Sequence, residues 1–248
     1  MEYAAASQMG KAHSINQDGY RLERVDTDGY VAIVADGMGG HVAGEVASAL
    51  AVATVWETLV AQKDQAPDER LLRAVQVANT AIYLRAQEDV AYAGMGTTVV
   101  AIIADESHLH VAHVGDSRAY LFHDGELTAL TSDHSYVNEL VRRGQLTPEA
   151  AHVHPQRNLL LRSLGTLPEV LVEYQTFEWQ RGDLLLLCSD GLTNPLTDAQ
   201  IAAIVSSDKD LSVRASELVQ AAVLAGGRDD ITAALLVNHE ASQRRDMQ

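Results

Sequence analysis

Residues 31–44, Val-Ala-Ile-Val-Ala-Asp-Gly-Met-Gly-Gly-His-Val-Ala-Gly, constrain the fold more than any other stretch of this chain. Val31–Ala35 has no polar side chain and reads as a strand covered on both faces. It runs into Asp36, and four of the next eight residues are glycine. A carboxylate at the tip of a buried strand is costly unless its charge is compensated, and a metal ion is the most economical partner. The glycines let backbone and ligand approach closely. Beyond them Val46, Leu50, Ala53 and Trp56 recur at helical spacing, so the unit is strand, glycine loop, helix. A P-loop would close on Gly-Lys-Ser/Thr, which is absent. A dinucleotide fingerprint counted from Gly37 meets Val42 where its last glycine belongs. A plain tight turn is the simpler alternative for this stretch alone.

The 248 residues are 47% hydrophobic, enough for a large core. Net charge is -16, which argues against nucleic acid or an anionic membrane as the main partner. One cysteine, Cys188, excludes an internal disulfide framework and suits a reducing compartment. The N-terminus lacks a basic segment followed by a long apolar one, and no uninterrupted apolar run approaches about 18 residues. A soluble, cytoplasmic, monomeric protein is expected. With no linker and no repeat, residues 1–240 read as one domain and 241–248 as a charged tail.

In chain order, Tyr3–Met9 and Tyr20–Val25 are strand-like, and Asp28-Gly29 forms a two-residue hairpin. Pro67 starts a helix whose buried stripe is Leu71, Val75, Ala78 and Ile82. Val99–Ala104, His108–Val114 and Arg118–Phe122 are strands, with Asp124-Gly125 as a further hairpin. The middle of the chain therefore reads as an antiparallel meander rather than a βαβ series. Residues 131–168 are polar and loop-like, with a helical patch near Val137–Arg142, and form the best candidate for a mobile cover. Val170–Phe177 and Leu184–Cys188 return to strand. Helices Thr197–Ser206 and Asp210–Leu224 follow, then the strand Ile231–Val237.

Four acids share one pattern. Asp36 and Asp190 end buried strands, Asp229 begins one, and Asp116 sits in the turn between two. Each alone is a common turn or strand-end residue. Gathered at one edge of a sandwich, their repulsion would require divalent cations. Oxygen-only ligands favour Mg²⁺ or Mn²⁺ over zinc. The pairs His108/His110 and His152/His154 lack zinc-site spacing with cysteine, and the first lies on one face of a strand.

Seven blocks now stand in order: Asn16-Gln17-Asp18, residues 34–48, Met95-Gly96-Thr97-Thr98, residues 113–121, Ser132-Asp133-His134-Ser135, residues 184–192 and residues 226–232. Together, over roughly residues 3–237, they resemble the metal-dependent PP2C-type protein serine/threonine phosphatases in their compact bacterial form. The resemblance implies an α+β fold, a four-layer α-β-β-α sandwich of two antiparallel sheets flanked by helix pairs. It implies two Mn²⁺ or Mg²⁺ ions, with a third, weaker site. Carried over by position, Asp36 bridges the two metals, the Gly37 carbonyl binds one, and Asp190 and Asp229 hold the other. Asp18 supports the centre, mostly through water, and Asp116 belongs to the third site. Asp230 stands where asparagine is usual, so Asp229 and Asp230 compete as ligand, with Asp229 favoured by its position after Gly226-Gly227.

A water shared by two cations supplies the nucleophile in such a centre. Protein nucleophiles fail on the sequence: six positions after Cys188 stands Asn194 rather than arginine. Gly115-Asp116-Ser117-Arg118-Ala119 misses the hydrolase elbow at its last residue and joins two strands. Cys188 reads as core. His41 is the candidate proton donor to the leaving alkoxide, with a water-holding loop histidine as the alternative. The family's phosphate-clamping arginine is replaced by His13, which cannot form a bidentate fork and is expected to be largely neutral at neutral pH. Phosphate binding is then weaker, more pH-sensitive, or assisted by Lys11 or an arginine of residues 142–162. Residues 144–165 correspond to the bacterial flap, whose Arg157 and His154 are candidates to meet substrate. Expected partners are phosphorylated proteins and a serine/threonine kinase whose action is opposed. A small phosphomonoester hydrolase and a feebly active phosphoprotein-binding regulator are the alternatives.

Overall fold

In the computed structural model, which describes residues 1–11, 13–25, 29–39 and 42–239, the apolar runs pair as antiparallel strands. The elements begin with β1 (Glu2–Gln8), β2 (Asp18–Arg24), β3 (Tyr30–Met38), α1 (Val42–Ala61) and α2 (Pro67–Glu88). Then come β4 (Gly96–Thr97), β5 (Val99–Ala104), β6 (His108–Val114), β7 (Arg118–His123) and β8 (Glu126–Ala129). The flap region holds α3 (Tyr136–Arg142) and α4 (Pro148–His152). The chain closes with β9 (Glu173–Glu178), β10 (Leu184–Cys188), α5 (Asp190–Thr193), α6 (Asp198–Val205), α7 (Leu211–Leu224) and β11 (Ile231–Val237). One sheet runs β1-β11-β10-β7-β8, the other β2-β3-β5-β6-β9 with β4 paired to β3.

Period-two alternation divides each central strand between two cores. Ala32 and Val34 of β3 join Leu185 and Leu187 of β10 and Leu236 of β11 in the core between the sheets. Val31, Ile33 and Ala35 turn the other way, onto Ala51 and Val55 of α1 and Val75 and Ile82 of α2. From β10, Leu184, Leu186 and Cys188 pack outward on Ile201 of α6 and Leu218 of α7. The result is the expected four-layer α-β-β-α sandwich of two antiparallel sheets.

Several local expectations need correction. The middle of the chain is not one meander, because β5 and β6 pair in one sheet while β7 and β8 pair in the other. The turn at Gly115–Ser117 therefore crosses between sheets, which carries Asp116 to the edge of the sandwich. On α1 the deepest residues are Ala47, Ala51, Val55 and Leu59, one position on from the bulkier Val46 and Leu50. Small side chains let this helix lie close to β3, and Trp56 is only half-buried beneath the Arg21 guanidinium, 3.8 Å from its ring centroid. By length and composition α1 suffices to cross a membrane, yet its inner face is part of the packed core. Strand β9 starts at Glu173, since Val170 and Val172 pack against the α1–α2 core without pairing. Asp28 of the expected hairpin, His41 and the 241–248 tail lie outside the described residues.

Candidate metal centre

Strand pairing places the first two acids together: Asp36 of β3 is directly opposite Asp18 of β2. The Asp36 backbone is locked by Thr98, whose N–H donates to its carbonyl at 2.8 Å and whose Oγ1 accepts its N–H at 2.9 Å. Thr97 Oγ1 donates to the same carbonyl at 2.8 Å. Next to it Gly37 donates to the Gln17 carbonyl at 3.1 Å. A Cβ on Gly37 would lie 2.0 Å from the Gly44 carbonyl oxygen, so no larger residue fits between β3 and the start of α1. Behind Asp36, one oxygen of Asp18 accepts from Ser189 Oγ at 2.7 Å and Thr232 Oγ1 at 2.6 Å.

The other sheet supplies Asp190 at the start of α5, where Asn194 Nδ2 donates to its Oδ2 at 2.9 Å. Asp229 precedes β11 and is partly exposed, whereas its neighbour Asp230 is buried and taken up by the protein. Asp230 accepts N–H bonds from Gly10 and Gln17, both at 2.7 Å, and sits 2.8 Å from His13 Nδ1. This geometry supports Asp229 as the ligand and makes Asp230 the anchor of residues 10–17. His13 is also better charged than its neutral reputation: burial lowers its pKa, but the hydrogen bond and charge of Asp230, with Asp229 and Asp18, raise it overall.

A cavity of about 640 Å³ joins these parts, lined by His13, Gln17, Asp36, Gly37, Asp116, Asp190 and Asp229 among others. Asp18 stands outside the lining, in the second rank behind Asp36. Arg157 is exposed and lines an adjoining cavity of about 280 Å³ that shares Asp116 and Asp190. From the flap, Asn158 and Leu160 reach the main cavity instead, and His154 packs near the Tyr136 ring at 6.3 Å. Sequence reasoning gave no role to Asn158, Leu160, Thr98 or Gln17, although the last two fall inside blocks it singled out. The thiol of Cys188 is fully buried and pushed up to about 12, as a core position requires.

Electrostatics show what these acids call for. Burial first, then the charges of Asp18, Asp190, Asp116 and Asp229, push the Asp36 carboxyl well above its ordinary range. Burial and Asp190 do the same to Asp116. Asp18 is raised to about 7 and Asp190 to about 6, again mainly by burial. Asp18 Oδ1 and Asp190 Oδ1 are buried without a hydrogen-bond partner. Unpartnered carboxylate oxygens around an acid-lined cavity fit hard divalent cations, which take oxygen donors. The donor set suits Mn²⁺ or Mg²⁺.

Known proteins resemble this chain in sequence and in fold. Residues 9–224 match the family model for protein phosphatase 2C. The chain is 41% identical over 244 residues to protein phosphatase PhpP of Streptococcus pneumoniae, spanning 97% of this chain and 98% of that one. It matches the serine/threonine phosphatase PstP/Ppp of Mycobacterium tuberculosis with a TM-score of 0.88 at 37% identity, covering 96% and 99% of the two chains. The catalytic domain of PstP in complex with two manganese ions gives a TM-score of 0.83 at 36% identity, covering 94% and 96%. Sandwich, acid-lined cavity and near full-length similarity lead to one conclusion: this chain belongs to the protein phosphatase 2C family.

Proposed function

We propose that this protein hydrolyses phosphoserine and phosphothreonine in other proteins with a metal-activated water, and that in the cytoplasm it opposes a bacterial serine/threonine kinase. One observation carries the reading: Asp36, Asp116, Asp190 and Asp229, from both sheets, line a single cavity whose buried acids repel one another. Hydrolysis of a phosphoserine presupposes an ATP-dependent transfer that made it, which is the chemical ground for a kinase counterpart. One copy of the chain contributes every acid, so a monomer suffices. The lone, buried Cys188 fits a reducing compartment.

The roles follow from position. Asp36 and the Gly37 carbonyl would hold one ion, and Asp36 with Asp190 and Asp229 would hold the other. Asp18 steadies the centre from behind, and Asp116 serves a third, weaker site. When bound, Mn²⁺ or Mg²⁺ lowers the pKa of a shared water and offsets charge on the phosphoryl oxygens. His13, oriented through Nδ1 by Asp230, presents its remaining nitrogen to the substrate phosphate. Arg157 meets the substrate protein from the adjoining cavity. His41 is assigned the leaving-group proton from its place in the glycine loop.

Hydrolysis of a phosphothreonine peptide, free phosphoserine and p-nitrophenyl phosphate with Mn²⁺, Mg²⁺ or chelator tests this. The peptide is expected to show the highest kcat/KM, and chelation to stop turnover. Undiminished hydrolysis after exhaustive chelation would overturn the reading, and a preference for free phosphoserine would redirect it to small phosphomonoesters. His13→Arg is expected to lower KM about tenfold, the worth of one added charged hydrogen bond. An unchanged KM between about pH 6 and 8 would remove His13 from the phosphate site.

A further inference from the structure

Away from the catalytic cavity, His113, His134 and Glu173 bring potential ligand atoms within 4.8 Å of one another. Their hydrogen bonds leave no room for a metal ion. The Gly115 N–H can only donate, and it meets His134 Nδ1 at 3.2 Å. That nitrogen is therefore unprotonated, and a neutral imidazole then carries its hydrogen on Nε2. Nε2 lies 3.2 Å from Glu173 Oε2 and 3.3 Å from Arg162 Nη1. Of the two, the carboxylate alone accepts, so Nε2–H donates to Glu173. Both ring nitrogens are occupied, and the Arg162 charge would repel a cation. Burial, with the neighbouring His113 stacked at 4.6 Å, pushes the His134 pKa down to about 4 and keeps the ring neutral.

What this locked tautomer holds is the turn carrying Asp116. The His134 backbone N–H donates to the Gly115 carbonyl at 2.9 Å, while its ring accepts the Gly115 N–H. Gly115 has φ +107°, and a Cβ there would lie 2.6 Å from Thr98 Cγ2, so the turn has no side chain of its own to wedge it in place. On the far side Ser117 Oγ and Thr98 Oγ1 are 2.7 Å apart, and Thr98 is the residue that locks Asp36. Asp133, just before His134, takes Arg118 in two hydrogen bonds of 2.8 and 2.7 Å.

We propose that His134 is a positioning residue for Asp116: it clamps Gly115 through both backbone polar groups and so fixes the direction in which the Asp116 carboxylate enters the catalytic cavity. The proposal rests on the reading of Asp116 as one of the metal-site acids. A hydrogen bond made directly to a metal ligand is worth about ten- to hundredfold in metal affinity, which sets the upper range for support that acts through the residue before it.

Two substitutions separate the clamp from mere packing. Asn places Oδ1 where the Nδ1 of histidine lies and keeps an acceptor for Gly115, whereas Gln reaches Glu173 and offers Gly115 nothing. The readouts are Mn²⁺ binding by calorimetry and the Mn²⁺ concentration for half-maximal hydrolysis of p-nitrophenyl phosphate. His134→Gln is expected to weaken the Mn²⁺ titration about ten- to hundredfold, as Asp116→Asn does, while His134→Asn stays near the parent protein. The double substitution Asp116→Asn/His134→Gln is expected to be no weaker than Asp116→Asn alone. Equal impairment by Asn and Gln, or effects that multiply in the double variant, would overturn the clamp. Unaltered Mn²⁺ binding in Asp116→Asn would remove Asp116 from the acid set and the proposal with it, an outcome distinct from the other two. Should His134→Gln fail to fold, ¹⁵N spectra of the unsubstituted protein decide. His134 is expected as the Nε2–H tautomer, and an Nδ1–H tautomer would sink the idea.

Discussion

Two apolar strands of this molecule run into an aspartate followed by glycine, and they treat that charge differently. On β3, Asp36 faces Asp18 across the strand pair, and the charges that raise its pKa come from Asp18, Asp190, Asp116 and Asp229. On β10, the chain turns at once into α5, where a hydrogen bond from Asn194 and the charge of Arg118 partly relieve Asp190 and leave it at about 6. The repeated motif thus yields one acid partly relieved by neighbouring groups and one pressed mainly by burial and like charge. Under the proposed function, the difference ranks the two acids before any activity is measured.

The largest effect should come from breaking that ranking directly. Asp36→Asn is expected to reduce Mn²⁺-dependent kcat by about a thousandfold or more, and Asp190→Asn by about a hundredfold, the upper and lower range for loss of one electrostatic element. In chelator the sign reverses while the order holds, because removing a buried, repelled carboxylate raises the thermal midpoint, more for Asp36→Asn than for Asp190→Asn. Parallel activity and melting series check both statements. A smaller loss for Asp36→Asn than for Asp190→Asn would end the comparison.

A second measurement sharpens it through pH. A carboxyl whose folded-state pKa is raised holds its proton more tightly folded than unfolded. Its contribution to stability is therefore present at low pH and lost as pH climbs from the unfolded value, about 3.9, through the folded one. Asp190 at about 6 and Asp18 at about 7 set the window. The metal-stripped protein should lose stability across it, on the order of a few kcal/mol in total. Saturating Mn²⁺ should flatten the slope, since cation binding holds the same oxygens ionised. Chemical denaturation at a series of pH values reads the slope, and a stripped protein that gains stability over this window would contradict raised carboxyls at Asp18 and Asp190.

Much of this centre was legible because a carboxylate interrupting an apolar run is a contradiction that local structure alone does not resolve. Asp36, Asp190 and Asp229 were singled out that way and line one cavity, and the four-layer architecture came with the family resemblance. What stayed hidden depends on partners rather than on pattern. Alternation in residues 99–122 tells which side chains share a face, but it does not say that β6 and β7 belong to different sheets. Adjacent acids such as Asp229 and Asp230 look alike in sequence, and the Gly10 and Gln17 N–H groups that claim Asp230 come from more than 200 residues away. Arg157 matched the flap by type, yet the turn of the chain gives the main cavity to Asn158 and Leu160. His134 sat in a recognised block, and its clamp on Gly115 became visible only with the tautomer.

The helix after Asp36 shows the same limit in packing, and it sets the smallest expected effects. Bulk suggested Val46, Leu50 and Trp56 as the inward face of α1, whereas the fully buried positions are Ala47, Ala51, Val55 and Leu59. That small-residue face lets α1 approach β3 closely enough for Gly44 to sit against Gly37, whereas after β10 the equivalent Gly191 lies against the Asp230 carbonyl and not against a long helix. Ala51→Leu should therefore cost about 1–3 kcal/mol by overpacking and also raise the Mn²⁺ requirement, because the displaced helix carries the glycine loop with it. Arg21→Ala, which removes the guanidinium over Trp56 and its exposed pairing with Glu23, should cost less than about 1 kcal/mol and leave the Mn²⁺ titration where it was. Denaturant midpoints and Mn²⁺ titrations of both variants separate the two faces. If Arg21→Ala proved the more damaging, the bulky side of α1 rather than its alanines would be what seats the helix beside the metal centre.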